Sequence, residues 1–140
     1  MKKVFVTSVC LFALCGTFVG GLLAPQIPAQ AQSSELRLRA RMFAPGGYYS
    51  NGVRSEGNGD YRVKSSRKRL KLEASRVNMA DGTVLTFSLN GVAIGTRSLV
   101  LGRVQLEFDT NNGQTVPTVV VGTVVTVSTA DGTVILTGRF

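Results

Sequence analysis

The stretch RVKSSRKRLKLEASR, Arg62 to Arg76, carries seven basic side chains in fifteen positions. Cations at this density attract phosphate, sulfate and carboxylate groups, and their spacing decides whether they meet on one face. A second set precedes them. In ELRLRARM, Arg37, Arg39 and Arg41 recur at every other position. If both segments are strands, Arg37, Arg39, Arg41, Arg62, Lys64, Arg69 and Lys71 all leave on the polar side, because successive strand residues point to opposite faces. Three such strands in one sheet would present a single basic face, opposed in its own register by Glu73. That face suits an anionic polysaccharide or another acidic envelope polymer. The competing reading is a solvated strand face whose Lys and Arg keep the sheet from pairing with its neighbours. Nucleic acid is not the expected partner, since only Tyr61 borders the stretch, on the core side, and stacking aromatics are otherwise missing.

Composition excludes several other chemistries. The chain has no His and no Trp, and its two cysteines are Cys10 and Cys15. Beyond residue 31 there is no imidazole base, no thiol nucleophile and no disulfide, so Ser-His-Asp triads, Cys-His dyads and structural zinc sites are absent there. Glu107 and Asp109 share a strand face and form a candidate carboxylate pair for glycoside hydrolysis. Working pairs of that kind come from opposite sides of a cleft and are usually surrounded by sugar-stacking aromatics, and this chain has no Trp. The segment DTNNG, Asp109 to Gly113, has the oxygen spacing of a truncated calcium loop. Calcium takes about six to eight oxygens, and only Asp109 and Glu107 are at hand, so a plain hairpin loop is expected. The expectation is therefore a protein with no catalytic residue, cofactor or metal site. A hydrolase built from carboxylates alone is the alternative from another class.

The first residues address the chain. Met1-Lys2-Lys3, an uncharged apolar run from Val4 to Ala24, Pro25 and Pro28, and Ala29-Gln30-Ala31 are the parts of a secretory signal peptide. Val9 and Leu14 precede the two cysteines, where a lipid-attachment box requires a small residue. Cleavage before Gln32 would leave 109 residues, secreted or periplasmic, with no membrane span, and would lower the formal charge from +8 to +6. The remaining charge is uneven. Residues 35 to 76 hold eleven Lys or Arg against four acids, a net of +7, and residues 77 to 140 hold three against four, a net of −1.

The elements that must position the basic residues are strands. ELRLRARM alternates Leu36, Leu38, Ala40 and Met42 with arginines, the period of a half-buried strand. The run from Ala44 to Gly59, rich in Gly, Asn and Ser, reads as a loop. DYRVK and RLKLEASRV alternate again around a turn at Ser65-Ser66-Arg67-Lys68, with Tyr61, Val63, Leu70, Leu72 and Ala74 inward. Asn90-Gly91 is the strongest hairpin signal, since both residues tolerate the positive φ of a type I′ turn. Asp81-Gly82 and Asp131-Gly132 make similar turns, and the repeated ADGTV around them reads as convergent turn chemistry. RVQLEFD, TVPTVVVG, VVTVST and TVILTGRF complete the series, with Pro117 marking an edge strand or a bulge and Val134, Leu136 and Phe140 on one apolar parity. Phe140 also invites comparison with outer-membrane barrels, but several strands are too short to span a bilayer and aromatic girdles are missing.

These spacings predict one all-β domain at residues 32–140, an antiparallel β-sandwich of immunoglobulin-like or Greek-key type with about seven to nine strands. From about Gly59 to Phe140 the motifs DYRV, RKRLKLE, DGTVLTFSLNGVAIGT, LEFDTNNGQTVP, GTVVTV and GTVILTGRF resemble a small secreted all-β domain that recurs in uncharacterised bacterial proteins. The resemblance covers about three-quarters of residues 32–140 and consists of turn and core residues. It implies a fold and an export route, with no catalytic or binding residue to carry over. The functional expectation is an exported, non-enzymatic binding or structural module of the bacterial cell envelope or extracellular matrix. Self-assembly through an unpaired edge at the Pro117 strand is a further alternative.

Overall fold

A computed structural model describes residues 34–46, 49–50 and 52–140. The leader, both cysteines and the cleavage site before Gln32 lie outside the described residues. The strands are β1 (Leu36–Phe43), β2 (Tyr49–Ser50), β3 (Val53–Arg54), β4 (Glu56–Lys64), β5 (Arg67–Ser75), β6 (Val84–Leu89), β7 (Val92–Ser98), β8 (Val104–Asp109), β9 (Val124–Thr129) and β10 (Val134–Arg139). The only helical turn among the described residues is a 3₁₀ turn at Thr110–Asn112. The all-β expectation holds.

Eight strands form one antiparallel sheet in the order β7-β6-β9-β10-β1-β4-β5-β8, with β2 and β3 as a separate two-residue pair. A sandwich would divide them into two sheets. Here the ladder is continuous, because β1 pairs with β4 along its whole length and with β10 at Arg41↔Arg139, Met42↔Gly138 and Phe43↔Thr137. Gly138 makes that junction possible: a Cβ at this position would collide with the Arg41 carbonyl oxygen. The sheet curls until β7 and β8 approach each other. They meet through side chains, with Leu106 packed on Gly95, where an added Cβ would lie 3.1 Å from the leucine.

One apolar interior results. Met42, Leu70, Leu72, Leu85, Phe87, Val125, Val127 and Leu136 are fully buried, and Phe140 is buried beside them. The alternation in β5 works as read, with Leu70, Leu72 and Ala74 inward and Arg69, Lys71 and Glu73 outward. In β1 it holds for Ala40 and Met42, while Leu36, ahead of the β10 junction, is half exposed. On β4 and β5 the outward positions are mainly charged, unlike the apolar outer band of a lipid-facing barrel.

Four sequence expectations are corrected. The Ala44–Gly59 loop ends earlier, since Glu56 opens β4, and Gly57 and Gly59 occupy its inward positions because Met42 and Phe140 fill the space their side chains would need. The turn after β4 is only Ser65-Ser66, with Ser65 at φ 52°, and Arg67 and Lys68 belong to β5. TVPTVVVG is no edge strand: residues 114–120 join no ladder, although Val116 and Val119 are buried in the core. The unpaired edges are those of β7 and β8. Finally, a bulge between Val134 and Leu136 turns both Ile135 and Leu136 inward and leaves Val134 partly exposed, so Val134 does not share the inward parity.

Candidate anion-binding face

The seven cations of the sequence reading stand on three adjacent strands of the sheet. Register places Arg37 beside Arg62 and Arg62 beside Arg69; Arg39, Asp60 and Lys71 form the next row, and Arg41, Asn58 and Glu73 the one after. Lys64 faces Arg67 at the end of the β4–β5 hairpin. A continuous ladder in which inward Tyr61, Leu70 and Leu72 are buried forces their neighbours outward together. The strand β8 extends this face with Asp109 beside Arg69, Glu107 beside Lys71 and Gln105 beside Glu73.

The face is therefore mixed. Asp60 is its central anion: Arg37 donates to Oδ2 from Nη2 at 2.5 Å, Arg62 donates to Oδ1 from Nε at 2.8 Å, and Arg39 Nε lies 3.5 Å away. Glu73 is consequently not the only counter-charge in register. Arg69 pairs with Glu107 at 2.8 Å and Lys71 with Glu73 at 3.3 Å. Among the described residues, Arg41 and Lys64 have no carboxylate partner, and neither has Arg139, which lies opposite Arg41 on β10.

Arg67, assigned to a turn by the sequence, belongs to this face. Its guanidinium donates to both carboxylate oxygens of Asp109, whose side chain is only 4% exposed. Asp109 also accepts the Asn111 N–H at 2.9 Å, capping the 3₁₀ turn, while its own N–H donates to Gln114 Oε1 at 3.0 Å. The carboxylate of the suspected calcium loop is thus committed to protein donors. The hydrogen bonds from Arg67 and Asn111 hold its carboxyl below the usual carboxylate value. Burial alone would raise Asp60, but the hydrogen bonds from Arg37 and Arg62 outweigh it and the net shift is downward. Asp131 is lowered likewise by hydrogen bonds from the Thr129 and Thr133 hydroxyls.

Two depressions open on this face. One, of about 340 Å³, is lined by Asn58, Asp60, Arg62, Arg69, Lys71 and Glu73. The other, of about 190 Å³, lies at the hairpin end between Arg62, Lys64, Arg67 and Arg69, with Glu35 as its one acid. Its four cations come from two paired strands, and Arg67 is held in place from behind by Asp109.

Sequence reasoning missed Asp60, Arg67 and Arg139 as members of the face. Asp60 and Arg139 carry the right parity for it, beside Tyr61 and Phe140. Comparison of the chain with family models, curated proteins and solved structures finds no match.

Proposed function

We propose that this chain is an exported, non-enzymatic binding module that holds an acidic polysaccharide or other anionic envelope polymer on the outer face of β1, β4 and β5. The observation that carries the reading is the row Arg37–Arg62–Arg69 with Lys64–Arg67 beside it. Like charges directly opposite one another on neighbouring strands destabilise a sheet, and Asp60, shared by Arg37 and Arg62, and Glu107, paired to Arg69, offset only part of that repulsion. An anion bridging the row removes the remainder. The depression between Arg62, Lys64, Arg67 and Arg69 receives one sulfate, phosphate or carboxylate group, and the repeating anions of a polymer engage Arg41 and Arg139 along the same face. Export rests on the leader features of residues 1–31.

The test is chromatography of the exported protein on a sulfated glycan column. Retention should be strong at low salt and fall steeply as salt is added, because exposed charges reach only ~8 Å at physiological ionic strength. Arg41→Gln, Lys64→Gln and Arg139→Gln together break no ion pair seen in the fold, so the triple variant should keep its β-sheet circular dichroism and elute at clearly lower salt. Unchanged elution would return the face to a solvated strand surface that blocks pairing with neighbours.

A further inference from the structure

Two tight turns of this fold have the same backbone. Asn90 and Gly91 have φ of 48° and 80°, and Leu101 and Gly102 have φ of 49° and 69°. Val100 and Arg103 exchange both N–H···O bonds at 2.9 Å, closing the second turn as tightly as a type I′ turn requires. Asn suits its left-handed position; a branched Leu at positive φ is an outlier there. Core packing does not explain Leu101 either, for it is 84% exposed and its neighbour Val100 is 61% exposed. Asp81 accepts the Leu101 N–H at 2.7 Å and so fixes the tip from one side. Turn chemistry and burial both argue against Leu at this position, which leaves contact outside the fold.

The surroundings say what contact. A depression of about 350 Å³ beside the turn is lined by Val100, Arg97 and Arg103 together with Glu73. Among the described residues neither Arg97 nor Arg103 has a carboxylate partner, whereas Glu73 is paired to Lys71. The only hydrogen bond Arg97 donates there goes to the neighbouring Thr96 carbonyl. An apolar tip flanked by two free guanidiniums matches the boundary of an anionic bilayer, where phosphates overlie acyl chains. We propose that the turn between β7 and β8 docks the exported protein reversibly on an anionic lipid surface, with Leu101 and Val100 entering the acyl boundary and Arg97 and Arg103 meeting lipid phosphates. This site is separate from the β1–β4–β5 face and does not depend on the polymer reading.

Sedimentation with vesicles of phosphatidylglycerol and phosphatidylcholine, against phosphatidylcholine alone, at physiological salt tests it. The protein should sediment with the mixed vesicles and much less with the neutral ones. Leu101→Asn builds a second Asn-Gly turn, so it should melt no lower than the parent while losing about tenfold or more in vesicle affinity. Arg97→Gln with Arg103→Gln should remove the preference for the anionic vesicles. The triple variant at Arg41, Lys64 and Arg139 should still sediment, which separates this site from the basic face. Because the chain has no Trp, Leu101→Trp supplies a single reporter whose emission should shift to the blue on the anionic vesicles. The proposal is overturned if the parent stays in solution, if Leu101→Asn binds within twofold of it, if the triple variant alone abolishes sedimentation, or if the emission of the Leu101→Trp variant does not move.

Discussion

Asp60 gathers Arg37, Arg39 and Arg62 around one carboxylate, and Asp109 holds Arg67 from behind. Both carboxyls lie below their ordinary value of 3.8, as does Asp131, which accepts hydroxyl hydrogen bonds from Thr129 and Thr133. The shifts share one sign. The folded chain binds these protons less tightly than the unfolded chain, so the stability they contribute is complete above the ordinary value and is lost as pH falls through the lowered folded values. The melting temperature should therefore be level from pH 7 to about 5 and drop below about pH 4. The variant Asp60→Asn with Asp109→Asn should melt lower at pH 7 and lose less on acidification. A parent that melts at the same temperature at about pH 7 and about pH 2.5 would show that these pairs contribute nothing net. The basic residues of the face are legible from alternation alone. Asp60 shares the parity of Arg62 and Lys64 but is masked, because the Gly-rich run before it reads as loop and leaves it at the end of the strand.

At the scale of the element, hydropathy records what a residue prefers and not the volume its partner leaves. Gly57 and Gly59 take inward positions on β4 because the opposing side chains fill the space: a Cβ on Gly57 would lie 2.7 Å from Met42 Cε and 2.8 Å from the Glu73 carbonyl oxygen. Such positions read as loop, which shortens β4 in the sequence. The Val-rich TVPTVVVG has the opposite character, since strand propensity is present but no strand lies alongside to pair with it. The Leu101–Gly102 turn is hidden because Leu is not a turn residue, whereas Asn90–Gly91 is plain. Strand existence is thus readable where side chains alternate in size and polarity, as in β1, β5 and β8. It is lost where glycine, a bulge or a missing partner decides. Gly57→Ala should cost about 1–3 kcal/mol in urea unfolding, the range for overpacking a filled interior. An unchanged midpoint would mean that Met42 and the β4–β5 ladder yield freely, and that Gly57 is not there for packing.

At the largest scale the eight-stranded sheet of the described residues is two four-stranded halves, β7-β6-β9-β10 and β1-β4-β5-β8, whose strands share a ladder where β10 meets the end of β1. On the other side β7 and β8 touch through Leu106 and Gly95 without a ladder. The sandwich expected from the strand count differs from this sheet by that one junction, which no local pattern specifies: Arg41 and Arg139 are paired across nearly the full length of the domain. Closing a contact so distant in sequence costs chain entropy that its packing must offset. Gly138 and Arg139 supply two of the three pairs of the junction, and Phe140 beside them covers Gly59, whose added Cβ would meet the ring at 2.6 Å. Replacing a buried Phe by Ala costs about 3–5 kcal/mol, a large part of the roughly 5–15 kcal/mol that stabilises a domain. Phe140→Ala should therefore melt far below the parent yet remain folded in the cold. Deleting Gly138 to Phe140 removes two of the three β1–β10 pairs as well and should abolish the cooperative transition, read by circular dichroism. A truncated chain that still melts cooperatively near the parent temperature would mean that the halves cohere through the interior and the β7–β8 seam, with the β1–β10 junction dispensable.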